Sequence, residues 1–214
     1  MRDSKHRARY KRAFDLTLLL GAHVALLPIW LILWTVIPLA IVIDSGFPVF
    51  YRQQRIGQGG KRFSALKFRT MVQHADRIGP AYTRADDPRL TRVGRVLRRT
   101  ALDELPQLIN ILRGDMSVVG PRALSVADIE AMGVDPSVVE RRTSVPAGLT
   151  GLAQLYSNRA DTSRKLALDM EYIDRMGLWL DAKLTLLSVL RTVHVRWDQS
   201  EGTAAESQEE RSRG

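Results

Sequence analysis

The hydrophobic pattern divides the chain into an apolar anchor, a short alternating segment and a helical remainder. Residues 16–43, LTLLLGAHVALLPIWLILWTVIPLAIVI, contain no Asp, Glu, Lys or Arg, a run longer than the roughly 20 residues that cross a bilayer as a helix. A cleaved signal peptide does not fit, because the apolar core is too long and no small-residue cleavage site follows it. In residues 47–71, FPVFYRQQRIGQGGKRFSALKFRTM, apolar and polar positions alternate around Gly57, Gly59 and Gly60, which predicts a β-hairpin with a glycine-rich turn. Residues 74–90, with GP and DDPR, predict a mobile loop. Beyond Arg92 the period lengthens. Leu102, Leu105, Leu108, Ile109 and Leu112 recur three and four apart as one apolar stripe. Pro106 is tolerated only in a first turn, which sets the start of that helix at Leu102 or Asp103. Glycine and proline break the pattern at RGDMSVVGPRAL and again at residues 145–154, VPAGLTGLAQ. Two helices follow, around residues 166–176 and 178–195. The second carries a broad Leu and Val face that suits a membrane interface or burial in a core. The tail QSEGTAAESQEERSRG is polar and reads as disordered, and no internal repeat is present.

Charge and composition sharpen this outline. A chain of 214 residues holds one domain with a real core plus appendages. Its 32 Lys and Arg against 23 Asp and Glu give a net charge of +9, which favours anionic partners: nucleic acid, phosphates or an acidic lipid surface. The absence of cysteine excludes disulfides, thiolate metal sites and a Cys nucleophile. The histidines His6, His23, His74 and His194 are too scattered for a zinc site. Charge also changes the reading of the anchor. Arg2, Lys5, Arg7, Arg9, Lys11 and Arg12 precede it, and Arg52, Arg55, Lys61, Arg62, Lys67 and Arg69 follow it, so the positive-inside rule puts both ends on the cytoplasmic side. Pro28, near the middle, removes an intrahelical hydrogen bond and crowds the preceding turn. A re-entrant hairpin bent at Pro28 satisfies both observations; an ordinary kinked span is the competing reading. His23, Trp30 and Trp34 read as packing or interface anchors.

The segment RRTALDELPQLINIL sets two adjacent carboxylates, Asp103 and Glu104, after an arginine-rich approach. One reading makes Asp103 an N-cap and Glu104 a first-turn acid favoured by the helix dipole. The neighbours offer another. Arg98 lies just upstream, Arg122 sits in the VGPRA turn, and Lys67 and Arg69 come from the hairpin. Such cations suit a diphosphate held beside the acids, with Mg²⁺ bridging carboxylate and phosphate oxygens. One acid would then attack the phosphoanhydride while the other holds the metal. Arg95 and Arg99 read as solvated charges.

In order, KRAFD, the proline inside the apolar segment, PVFYRQQRIGQGGKRFSALKFRTM, LRRTALDELPQLINILRGDMSVVGPR and GLTGLAQ resemble the bacterial sugar transferases that are monotopic polyprenyl-phosphate glycosyl-1-phosphate transferases. The resemblance runs over residues 11–192. It implies that Asp103 and Glu104 are the catalytic dyad: Asp103 attacks a UDP-sugar, releasing UMP, and polyprenyl (undecaprenyl) phosphate then takes up the sugar phosphate. It further implies that Glu104 coordinates Mg²⁺, that Arg98, Arg122, Lys67 and Arg69 bind phosphate, and that the membrane helix is re-entrant. Three departures stand out. Ala123 replaces the second proline of the family's GPRP turn, Leu27 stands where a serine often precedes the membrane proline, and Ala147 replaces the proline usual before Gly148. The first and third bear on the nucleotide pocket, the second on the bend.

The expected fold is therefore mainly α with a small β-hairpin, a re-entrant membrane helix and a cytoplasmic-face catalytic domain with interfacial amphipathic helices. The expected organisation is a basic N-terminus and membrane helix at 1–45, a catalytic domain at 46–197 and a disordered tail at 198–214, a minimal catalytic form on the inner leaflet of the bacterial cytoplasmic membrane. The interfacial helices could pair two copies as a homodimer. A membrane-tethered nucleic-acid regulator would explain the charge but leave Asp103 and Glu104 without a task, so no nucleic-acid partner is expected. A conventional metal-dependent glycosyltransferase would use Asp86 and Asp87 and release UDP. A degenerate scaffold is a third alternative, at odds with the intact acidic pair. The sugar and the pathway have no motif that reports them.

Overall fold

The computed structural model describes residues 9–78, 87–157 and 161–193. Arg2, Lys5 and Arg7, residues 79–86 of the expected loop with Asp86, and the tail at 198–214 lie outside them. In chain order the elements are α1 (Arg9–Ala25), α2 (Leu27–Ser45), β1 (Phe50–Ile56), β2 (Arg62–Phe68), α3 (Ala75–Ile78), α4 (Arg92–Arg99), α5 (Gln107–Arg113), β3 (Ser117–Val119), α6 (Val126–Met132), α7 (Pro136–Arg142), β4 (Gly148–Thr150), α8 (Leu152–Tyr156), α9 (Thr162–Arg175) and α10 (Leu178–Val193). The fold is mainly helical, and β1 and β2 form the small antiparallel sheet that the alternation predicts. Its 3₁₀ turn carries Gly59 and Gly60 at φ 66° and 75°, backbone that only glycine adopts without strain. The 74–90 segment is not wholly loop: α3 occupies part of it.

The chain divides into two compact units. The first comprises Met1–Leu27, Arg52–Leu66 and Pro106–Val189. Its centre is a second, parallel strand pair, with Ser117 opposite Gly148 and Val119 opposite Thr150. The sequence pattern reads both segments only as turns, because three-residue strands buried on both faces show no alternation. Gly120 and Gly148 let the backbones meet there: a Cβ on Gly148 would lie 2.0 Å from the Gly120 nitrogen. Buried polar groups tie α1 to this pair. Lys11 Nζ donates to Val119 O and to Asp181 Oδ2, each at 2.7 Å, and Asp15 Oδ1 accepts from Ser117 Oγ and Val118 N, each at 3.0 Å. Tyr10 and Tyr172 also donate to the Asp181 carboxylate. The KRAFD motif is thus an internal brace. Helix α9 starts earlier than its apolar pattern suggests, because the Asp161 side chain caps it by accepting from Arg164 N at 2.8 Å.

The second unit comprises Pro28–Tyr51, Lys67–Leu105 and Leu190–Gly214. Ile37 and Ile41 of α2 pack with Phe68 and Leu97, flanked by Trp34, Val49, Leu102 and Leu105. The Trp34 and Phe68 rings lie 5.5 Å apart, as do those of Phe50 and Phe68. One side of α2 is uncovered: Leu31, Ile32, Val36, Leu39 and Ile43 are exposed. By length and composition α2 is, among the described residues, the one helix able to cross a membrane. The helical run breaks at Leu26, and Pro28 occupies the first turn of α2, where its missing N–H is harmless. A second proline, Pro38, lies inside α2.

Candidate active site

Asp103 and Glu104 do not open a helix. Leu102–Glu104 is a separate 3₁₀ turn, and α5 begins only at Gln107, with Pro106 in the N-cap position and φ −62°. This corrects the expected helix start and removes the capping explanation for Asp103. Helical spacing misleads here because 3₁₀ and α turns both place apolar residues three to four apart. Leu102 and Leu105 belong to the second unit's core, while Leu108 and Ile111 are buried in the first. Ala101, two residues before Asp103, sits at φ 55°, ψ 14°. A non-glycine residue in this left-handed region carries strain of about 1 kcal/mol, a feature with no sequence signal.

Within the second unit, Lys67 at the end of β2 reaches the acidic turn: its Nζ lies 2.5 Å from Glu104 Oε1, with the two side chains only 17% and 20% exposed. Asp103 is buried at 8%. Arg98 is held in the last turn of α4, its Nε donating to Thr70 Oγ1 at 3.0 Å. Three devices fix α4 there. Thr91 caps it by accepting from Gly94 N, Asp44 accepts from Val93 N, and Gly94 lies so close to Thr70 that a Cβ would meet Thr70 O at 2.0 Å. Arg95 and Arg99, on the same helix, are exposed, as solvated charges would be.

Arg69 is placed differently from a simple surface cation. It is 6% exposed, and its Nη2 donates to Ser45 O, Ser45 Oγ and Gly46 O at 2.6–2.8 Å, so the guanidinium caps the C-terminal end of α2. Its Nε and Nη1 are buried without a hydrogen-bond partner among the described residues, and burial pulls its pKa below the ordinary arginine value. Arg122 belongs to the first unit, in the turn after β3, with an exposed side chain between buried Pro121 and Ala123.

The acidic turn offers hard oxygen donors, which suit Mg²⁺. That ion is typically held by one or two carboxylates plus substrate phosphates and keeps several waters. Among the described residues no three His, Asp or Glu side chains converge on a metal position, so the fit is to an ion shared with a phosphate ligand rather than to an all-protein cage. The competing Asp86 and Asp87 pair fares worse. Asp86 lies outside the described residues, and Asp87 accepts from Arg89 Nε at 2.9 Å and Nη2 at 2.7 Å, a two-pronged grip that occupies its carboxylate.

A family model described as bacterial sugar transferase matches residues 6–195. The chain is 39% identical over 196 residues to the undecaprenyl-phosphate glucose phosphotransferase of Komagataeibacter xylinus, covering 87% of this chain and 36% of that protein. It is 43% identical over 161 residues to the UDP-glucose:undecaprenyl-phosphate glucose-1-phosphate transferase of Caulobacter vibrioides, covering 72% and 59%. Against the exopolysaccharide production protein ExoY of Rhizobium meliloti it is 42% identical over 203 residues, covering 86% and 83%. The chain therefore spans only about a third and three fifths of the first two relatives. With the family model matched over nearly its whole length, the chain belongs to the bacterial sugar transferase family.

Proposed function

We propose that the protein transfers a sugar 1-phosphate from a UDP-sugar to undecaprenyl phosphate. The observation that carries this reading is the buried Asp103 set in a strained turn next to the Lys67–Glu104 pair. Sequence likeness to transferases named for that reaction supports it.

In the first step, a carboxylate oxygen of Asp103 attacks the phosphorus bearing the sugar. The bond to the bridging oxygen breaks, and UMP leaves with that oxygen. In the second step, an oxygen of the lipid phosphate attacks the same phosphorus. The acyl phosphate bond breaks, the Asp103 carboxylate is regenerated, and the product is a polyprenyl diphosphate sugar. Lys67 orients Glu104, which together with the substrate phosphates would hold Mg²⁺; the ion would supply charge neutralisation on the transferred group. Arg98, Arg69 and Arg122 are the proposed phosphate ligands. The two remaining donors of Arg69 and the exposed side chain of Arg122 are what recommend them.

The membrane arrangement belongs to the same reading. The apolar segment 16–43, divided between the end of α1 and most of α2, enters and leaves the cytoplasmic face of the inner membrane as a re-entrant element turned at Pro28, which the basic flanks at both ends favour. On α10, Leu178, Trp179, Leu186, Val189 and Leu190 form an exposed apolar face, with Trp179 88% exposed, suited to lying in the interface.

The test is nucleotide release in nanodiscs with undecaprenyl phosphate, Mg²⁺ and a panel of UDP-sugars. Lipid-dependent UMP with one sugar is the expected result. UDP as the released nucleotide would overturn the proposal in favour of a conventional glycosyltransferase.

A further inference from the structure

The turn that follows β3 is held by its carbonyls. Five successive oxygens each accept a hydrogen bond from a different donor: Gly120 O from Gln154 Nε2 at 3.4 Å, Pro121 O from Gly148 N at 2.8 Å, Arg122 O from Arg142 Nη2 at 2.6 Å, Ala123 O from Arg55 Nη1 at 2.6 Å and Leu124 O from Ile56 N at 2.8 Å. These donors come from α8, β4, α7 and β1, so four elements of the first unit converge on one short stretch. The residues on either side of Arg122 point inward and are buried, and Arg122 alone is exposed between them. A backbone fixed this way holds the Cα–Cβ direction of Arg122 nearly constant, which lowers the entropy lost when its side chain engages an anion.

The two cationic donors are not equivalent. Arg55 is shared with Gln53 and with Asp128 at 3.5 Å. Arg142 is 9% exposed and aims at two groups: its Nε donates to Asp169 Oδ2 at 2.7 Å while its Nη2 reaches the Arg122 carbonyl. Asp169, on α9, is 2% exposed. A guanidinium can bridge a carboxylate and a carbonyl in one plane; a lysine ammonium, a single point of charge on a flexible stem, cannot reproduce that fork. A buried ion pair contributes little net stability compared with apolar packing of the same volume, and the fork from Asp169 to the Arg122 carbonyl fits a positioning device.

We propose that Arg142 and Asp169 are positioning residues for the transfer reaction: the buried Asp169–Arg142 pair locks the Arg122 carbonyl and so presents the Arg122 side chain to a substrate phosphate. This rests on the reading of Arg122 as a phosphate ligand. Neither Arg142 nor Asp169 touches the substrate in this scheme; both act through the turn.

The experiment is a double-mutant cycle on UMP release in nanodiscs, with kcat and KM for the UDP-sugar and the thermal midpoint read for each variant. Arg142→Ala and Asp169→Asn are each expected to lower kcat/KM by roughly 10- to 100-fold, a coupling within the range found for residues in one network. In an Arg122→Ala background, neither should lower it by more than about twofold, because the group they position is gone. Arg142→Lys preserves a cation beside Asp169 and serves where Arg142→Ala fails to fold; it should show the same loss and the same disappearance of that loss without Arg122. Additive losses in the double variants would overturn the proposal and leave a purely structural ion pair. If Arg122→Ala itself retained native turnover, the phosphate-ligand reading and the positioning role would fall together, an outcome distinct from additivity.

Discussion

Lys67 Nζ sits 2.5 Å from Glu104 Oε1, joining the end of β2 to the turn that carries the acidic pair. The contact spans 37 positions in sequence, so it fixes tertiary geometry, and neither side chain is more than about a fifth exposed. Removing one partner of such a charge-assisted hydrogen bond costs roughly 1.5–3 kcal/mol. Lys67→Met should therefore reduce turnover about 10- to 100-fold, with UMP still the released nucleotide. It should also raise the Mg²⁺ concentration needed for half-maximal rate, because Glu104 loses the group that orients it. A Mg²⁺ titration of the native and substituted proteins reads both effects. An unchanged titration would separate Lys67 from metal binding.

Asp103 is the proposed nucleophile, and a neutral amide cannot take over the attack of its carboxylate. Asp103→Asn should lower UMP release by on the order of 10⁴-fold or more, the scale of loss when a nucleophile is removed. In the native protein, incubation with the UDP-sugar in the absence of lipid should add one sugar phosphate to the peptide containing Asp103, readable by intact-protein and peptide mass spectrometry. Adduct on Glu104 instead would exchange the roles of the two acids.

The parts of the fold that a period can express were legible. The alternation of residues 47–71 gave the hairpin, the apolar run gave α2, and the Leu-rich pattern near the end gave α9 and α10. The stripe from Leu102 to Leu112 was legible as apolar but not as structure: its spacing is common to both helix types, and Pro106 divides a 3₁₀ turn from α5. The β3–β4 pair escaped because parallel pairing of two buried tripeptides depends on contacts across about thirty residues of intervening chain. At the site, residue identities pointed to Asp103 and Glu104, yet the partners did not follow from identity. Nothing in the motif containing Arg69 announces that it caps α2 through Ser45 and Gly46, and Thr70, the anchor of Arg98, carries no chemical signature at all.

Ala101 is strained at φ 55°, and strain two residues from the proposed nucleophile would shape the turn that presents it. Ala101→Gly removes the steric penalty but widens the conformations open to the turn. The thermal midpoint should change by no more than about 4 °C, in the upward direction, while turnover falls a few-fold. Ala101→Val places a β-branched residue where φ is positive and should lower both quantities. A rise in stability with no change in rate would mean that the left-handed residue serves folding alone.

Asp87 makes part of the stability depend on pH. Hydrogen bonds from the Arg89 side chain pull its carboxyl from 3.8 down to about 2. A carboxylate whose pKa is lower in the folded state stabilises fully above its unfolded value, and that contribution is lost as pH falls through the folded value. The difference in thermal midpoint between the native protein and Asp87→Asn should thus stay constant from pH 7 to about 5 and close between roughly pH 4 and 2. A gap that persists at pH 2 would trace the effect of Asn to packing rather than to charge.

The Lys11–Asp181 pair sets the hold of the entry helix. Both residues are within 1% of complete burial, at 2.7 Å, and Tyr10 and Tyr172 donate to the same carboxylate. Burial pushes the Lys11 pKa down, against the pull of Asp181, and pushes the tyrosines up. Lys11→Met leaves the Asp181 charge buried with only hydroxyl donors, a loss of about 3–5 kcal/mol that should lower the thermal midpoint by roughly 10 °C. The pair Lys11→Met with Asp181→Asn retains an acceptor for the tyrosines without an uncompensated charge, and should recover part of that loss. Recovery identifies charge burial as the source of the damage. A double variant less stable than Lys11→Met alone would instead assign the hold on α1 to the packing of the lysine stem and the geometry of the tyrosine hydrogen bonds.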